Sequence, residues 1–132
     1  MFARAFVKTS TLIAAVVATG MLLPVGAQAS ELVMFEQAGC VYCQRWDRDI
    51  GSLYGKTPEA QALPLRRIDI QNQRTSGVTL ASPIRYTPTF VVVDNGHEVG
   101  RITGYSNDDS FWGLLDTLAA KLAPPSREPN RI

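Results

Sequence analysis

The sequence predicts an α/β fold in which a mixed sheet is flanked by helices. Three observations carry that reading. A short unbroken apolar run, Leu32-Val33-Met34-Phe35, leads into an amphipathic helical pattern. A β-branched run ends in Asp94-Asn95-Gly96 and resumes as Glu98 to Thr103, and the chain then closes on a second amphipathic helix. A β-α-β unit followed by a β-β-α unit gives parallel and antiparallel pairs in one sheet, with helices to cover it.

The first run has the composition of a strand buried on both faces. Past Glu36, Trp46, Ile50, Leu53 and Tyr54 recur at helical spacing, with Gln44, Arg45, Asp47, Arg48 and Asp49 between them, and Gly55 marks the end. Thr57-Pro58-Glu59 combines a capping residue with proline at the first helical position, which predicts a brief helix through Leu63. Leu65, Ile68 and Ile70 predict the second strand, with Asp69 near its end. Gln71 to Ser82 shows no period and reads as a loop with at most one short helix.

Thr89 to Val93 is the third strand. Asn-Gly after it is the strongest local hairpin signal, since both central residues of the favoured turn need positive φ. The last helix begins near Asn107, carries Asp108 and Asp109 in its first turn, and aligns Phe111, Leu114, Leu115, Leu118 and Leu122. Ala123-Pro124-Pro125 is expected to stop it.

Ahead of all this, Arg4 and Lys8 precede an apolar stretch from Leu12 to Val25 that ends in Ala27-Gln28-Ala29. Basic start, short apolar core and small-residue exit predict a secretory leader, residues 1–29, cut after Ala29. The stretch is shorter than the roughly 20 apolar residues of a membrane span, so an uncleaved anchor is the lesser reading. One domain, residues 30–132, then remains. Its charge is nearly balanced, because the leader holds two of the 13 basic residues and none of the 12 acidic ones. That composition offers neither a basic stripe for nucleic acid nor a strong acidic field.

The chemistry centres on Cys40-Val41-Tyr42-Cys43, the only cysteines in the chain. If a helix starts right after Cys40, its unpaired N–H groups and positive dipole end favour the thiolate there, which makes Cys40 the better nucleophile. Cys43, one turn on and facing the core, suits the resolving role in a mixed disulfide. An inert structural disulfide is the plainer alternative, yet so short a loop removes little entropy from the unfolded chain. Covalent haem would need His at position 44, which is Gln. Structural zinc wants four ligands against two cysteines and His97, itself a surface residue after a turn. A two-thiolate site for cuprous copper stays open as a binding-module alternative.

The run Leu32 to Cys43, the segment Tyr86-Thr87-Pro88-Thr89-Phe90, the Asn95-Gly96 hairpin, Gly104 and the closing helix together resemble the thioredoxin superfamily across the whole predicted domain. The resemblance implies a thioredoxin-like fold and thiol–disulfide exchange without cofactor or metal. It makes Cys40 the attacking thiol and Cys43 the resolving one, with Pro88 a cis-proline facing them and Thr87 offering backbone contacts to a bound substrate strand. Two departures stand out. Gly39 precedes the motif and Val41-Tyr42 fill it, which makes Tyr42 a substrate-facing ring. Met34 takes the place of the buried acid on the preceding strand, which leaves Glu36 as the nearest carboxylate in sequence for proton transfer, with a solvated strand-end glutamate as the plainer alternative.

Within the superfamily the chain is similar to exported single-domain periplasmic thioredoxins, including that of bacterial sulfur-oxidation systems. This similarity implies a periplasmic monomer that reduces a protein disulfide and draws electrons from a membrane thiol transporter. Tyr42 stands where oxidising relatives carry His, which favours reduction over the alternative of an oxidase or isomerase of secreted proteins.

Overall fold

The computed structural model describes residues 30–122. The predicted leader and the Ala123-Pro124-Pro125 stop lie outside them. The elements run β1 (Glu31–Glu36), α1 (Val41–Trp46), a π-helical segment (Asp47–Gly51), α2 (Ser52–Tyr54), α3 (Pro58–Ala62), β2 (Leu65–Asp69), a 3-10 helix (Ile70–Thr75), β3 (Thr89–Asp94), β4 (His97–Thr103) and α4 (Asp108–Ala119). The four strands form one mixed sheet in the order β2-β1-β3-β4. β1 runs parallel to β2 and antiparallel to β3, and β3 pairs antiparallel with β4.

Alternation along β1 and β3 divides the core in two, because successive side chains of a strand point to opposite faces. Leu32, Met34, Phe90 and Val92 join Trp46, Ile50, Tyr54, Phe111 and Leu115 on the helical face, where both cysteines also lie. Val33, Phe35, Val91 and Val93 pack on the other face against Ile84, with Ile68, Ile70, Val78 and Leu80 around them. The 3-10 helix and the loop after it therefore cover the second face. Ile70 belongs to that cover and not to β2, where its spacing had placed it.

The predicted single helix after the motif is interrupted. Its buried residues are Trp46, Ile50 and Tyr54, a stripe repeating every four residues, while Leu53 is 55% exposed. A four-residue repeat outruns the 3.6-residue α turn, and the wider π turn, with its i→i+5 bonds, brings the stripe back onto the sheet. Leu53 is left facing solvent. Gly51 accommodates the bulge, since a Cβ there would lie 3.3 Å from the Trp46 ring and 3.1 Å from an Asp47 oxygen.

The hairpin turns at Asn95 (φ 49°) and Gly96 (φ 80°) as its sequence requires. α4 is capped by the Asn107 side chain, which accepts from the Ser110 N–H at 2.9 Å, and it buries Phe111, Leu115 and Leu118. Leu114 departs from the predicted stripe and is 50% exposed. Thr79 bridges to the outer edge of β4, with its N–H donating to the Gly96 carbonyl and its carbonyl accepting from the Glu98 N–H. That contact blunts a sheet edge that would otherwise be open.

Candidate functional site

Strand register collects the site at one end of the sheet. Phe35 of β1 lies opposite Thr89 of β3, and Thr89 lies opposite Thr103 of β4. The turn leading out of β1 to Cys40, the Thr87-Pro88 segment leading into β3 and Gly104 just past β4 therefore share that end. His97 begins β4 at the opposite end, exposed, with Nδ1 3.0 Å from the Asn95 carbonyl oxygen.

Cys40 is the N-cap of α1, in an extended conformation, and its Sγ accepts from the Cys43 N–H at 3.1 Å. The helix starts where the sequence places it. Cys40 and Cys43 are joined as a disulfide, their Cα atoms 5.2 Å apart. Both sulfurs lie in the apolar cluster of the helical face, with Cys40 8% and Cys43 4% exposed. The two residues between them face outward, Val41 at 63% and Tyr42 at 53% exposed. The Arg45 guanidinium stacks 5.4 Å from the centre of the Tyr42 ring. Met34 is fully buried in the same cluster, so the position under the motif is apolar.

The Thr87–Pro88 peptide is cis. Thr89 Oγ1 donates to the Tyr86 carbonyl at 2.7 Å, closing the turn around it. The Pro88 carbonyl accepts from the Gly104 N–H at 2.7 Å, which ties this turn to the β4–α4 connection. Pro88 is buried and Thr87 half-buried.

Glu36 stands at the end of β1 with both oxygens bonded to the Arg67 guanidinium. Arg67 also donates to both oxygens of Asp47 at 2.7 and 3.2 Å, and lies 6.0 Å from the Trp46 ring centre. The bonds from Glu36 and Asp47 hold its pKa above the usual arginine value. One guanidinium thus joins β1, β2 and the segment after α1, and by register it lies opposite Met34. A second link is the Tyr105 hydroxyl, which donates to Asp49 at 2.9 Å. Burial first, and then the Asp49 carboxylate, push the Tyr105 phenol up to about 12. Neither link is visible in sequence, because residues paired across 20 and 56 positions leave no local pattern.

A buried, cap-positioned sulfur joined as a disulfide to a deeper one, on this fold, defines the class. This is a thiol–disulfide oxidoreductase of thioredoxin-like fold. A family model described as a thioredoxin-like domain matches residues 25–119, and the chain belongs to that family. Among solved structures it is similar to the periplasmic thioredoxin SoxS of Paracoccus pantotrophus, at 40% identity and TM-score 0.68, covering 71% of this chain and 99% of that one. The thioredoxin of Malassezia sympodialis shares the fold at 17% identity and TM-score 0.55, over 71% of this chain and 80% of that one. Compared with curated protein sequences, the chain finds no match.

Proposed function

We propose that this chain is an exported, periplasmic reductase of protein disulfides, with Cys40 as nucleophile and Cys43 as resolving thiol. The observation that carries the reading is the arrangement of the two sulfurs. Cys40 caps the helix beside the exposed Val41-Tyr42 pair, while Cys43 lies one turn deeper and less exposed. In the dithiol form, the Cys40 thiolate attacks one sulfur of a partner disulfide. That S–S bond breaks, the second partner sulfur leaves as a thiolate, and a mixed disulfide forms. The deprotonated Cys43 then attacks the Cys40 sulfur, and the partner's remaining sulfur leaves and takes up a proton. Two electrons pass to the partner, and the Cys40–Cys43 disulfide is the product.

The helix start and the N–H bond from Cys43 favour a negative sulfur at Cys40. Thr87 and Pro88, at the same end of the sheet, supply backbone for the partner strand. Export is supported by the leader pattern and by the likeness to a periplasmic thioredoxin. The proposal extends to a place in sulfur oxidation, with a membrane thiol transporter as the electron donor. Reduction is favoured because Tyr42 precedes Cys43, so the dithiol lacks the stabilisation that an imidazole there would give it. Equilibration with glutathione, read as the fraction of oxidised protein, tests the direction. A potential below about −200 mV is expected, and one near about −120 mV, the region of strong protein oxidants, would overturn the assignment as a reductase.

A further inference from the structure

Behind the cis-proline turn lies a polar recess of about 280 Å³. Arg85 and Tyr86 line it from the turn, Thr89 from β3, and Arg101 and Thr103 from β4, with Ser82 of the covering loop. Register fixes which side of the sheet this is. Thr103 lies opposite Thr89, and Arg101 lies opposite Val91, whose side chain packs on the second face. The recess is therefore across the sheet from the sulfurs but at the same end of it. Its lining holds two arginines and no acid.

The two arginines differ in kind. Arg101 is held in place: Nε and Nη2 donate to Glu98, Nη2 also donates to the Ser82 carbonyl, and Nη1 has no acceptor among the described residues. Glu98 balances its charge. Arg85 is exposed and takes part in none of the ion pairs among the described residues. A fixed guanidinium with a spare donor nitrogen and an uncompensated charge thus share one concave site with the hydroxyls of Ser82 and Thr103. Such donors suit a carboxylate, which accepts through two oxygens. A volume below the roughly 300 Å³ at which pockets for whole small molecules begin favours one acidic side chain over a free organic anion.

The place of Arg85 in the chain says how that acid arrives. Arg85 precedes Thr87 by two residues, and Thr87 is where the partner strand is proposed to lie. At roughly 3.3 Å per extended residue, a partner chain that crosses Thr87 with its cysteine at Cys40 brings residues about two to four positions from that cysteine past Arg85. We infer that the recess binds an acidic side chain of the partner protein at that spacing, and that Arg85 is a specificity-determining residue. The inference rests on the oxidoreductase reading and adds the charge of the partner segment.

The test uses the reduced domain and short peptides, each a symmetric dimer joined by one disulfide, so that attack at either sulfur is equivalent. Glu, Gln or Lys is placed in turn at each position on either side of the cysteine, in peptides that are otherwise uncharged. Each rate is divided by that of dithiothreitol on the same peptide, which removes differences between the leaving thiols. At low salt wild type should favour Glu over Gln by about fivefold in at least one register, the scale of an exposed ion pair, and the preference should shrink as salt is added. In Arg85→Gln it should fall to within about twofold, and Arg85→Glu should favour Lys instead. Arg74→Gln removes the same charge from outside this recess and should keep the preference for Glu. A preference that survives Arg85→Gln, that Arg74→Gln removes equally, or that wild type lacks overturns the inference. Failure of wild type to reduce hydroxyethyl disulfide, which is small and uncharged, would instead overturn the oxidoreductase reading, and this inference with it.

Discussion

The proposed division of labour between the two sulfurs rests on where each residue stands. Cys40 is a cap with outward neighbours, and Cys43 is buried one turn in. Cys43→Ser should therefore accumulate mixed disulfides with partner proteins, while Cys40→Ser should accumulate none, because it keeps only the sealed sulfur. Non-reducing gels with mass spectrometry of the adducts check this, and equal yields from both variants would contradict the ordered roles. Tyr105 offers a second residue-scale test. Its phenol is held above the usual value of 10 at about 12, so the folded state favours the protonated form. That contribution is complete below pH 10 and is lost as pH rises towards about 12. Tyr105→Phe should cost ~1.5–3 kcal/mol near neutrality, the range for a hydrogen bond to a charged acceptor, and the gap to wild type should shrink between pH 10 and 12. Urea unfolding at both pH values measures it.

Between elements, ion pairs do the joining. Arg67 ties β1, β2 and the π segment together at an exposed site, so each of its pairs contributes little by itself and weakens with salt. The Glu98 carboxylate is more enclosed, its side chain 5% exposed. It accepts from Arg101 twice at 2.6 Å and from the Ala81 N–H at 2.7 Å, while Arg101 reaches the Ser82 carbonyl at 2.8 Å. These bonds pin the loop that covers the second face of the sheet to β4. The Arg101 hydrogen bonds hold the Glu98 carboxyl below its ordinary 4.5, so its stabilisation is present above that value and is lost as pH falls through the lower native one. Glu98→Gln should cost ~1–3 kcal/mol at neutral pH, and the difference from wild type should fade below pH 4.5. Denaturant midpoints across that range, together with faster amide exchange in the loop of residues 78–84, would show it.

At the scale of the whole molecule, one aromatic cluster connects the redox site to the rest of the core. Trp46 is fully buried, with its ring centre 5.2 Å from Phe90, 5.7 Å from Phe111 and 6.2 Å from Tyr54. It follows Cys43 by one helical turn, so the motif is anchored by the residue that organises the helical face. Trp46→Ala should cost ~3–5 kcal/mol, a large share of what holds a small domain together. Trp46→Phe should cost clearly less. The ring loses area, but the indole Nε1, buried with no hydrogen-bond partner among the described residues, is removed with it. Thermal unfolding of the two variants ranks them, and equal losses would mean that the indole nitrogen has a partner after all.

Much of this architecture was determined by the sequence itself, because its signals are local. Apolar runs set β1 and β3, Asn95-Gly96 set the hairpin, and capping residues set the starts of α3 and α4. The motif, its place at a helix start and the cysteine pairing were likewise legible, since two cysteines three positions apart allow one bond. What only the tertiary structure decided depends on groups distant along the chain. The π turn arises because the sheet sets where Trp46, Ile50 and Tyr54 must lie, and helical spacing alone gives Leu53 an equal claim to the core. Leu114 reads as core in any periodicity, and is left half exposed because Phe111, Leu115 and Leu118 are the residues of α4 that pack on the sheet. Glu36 and Arg67, 31 positions apart, meet because parallel pairing of β1 with β2 sets their register. Periodicity reports which face of an element is apolar, and strand register decides what that face will meet.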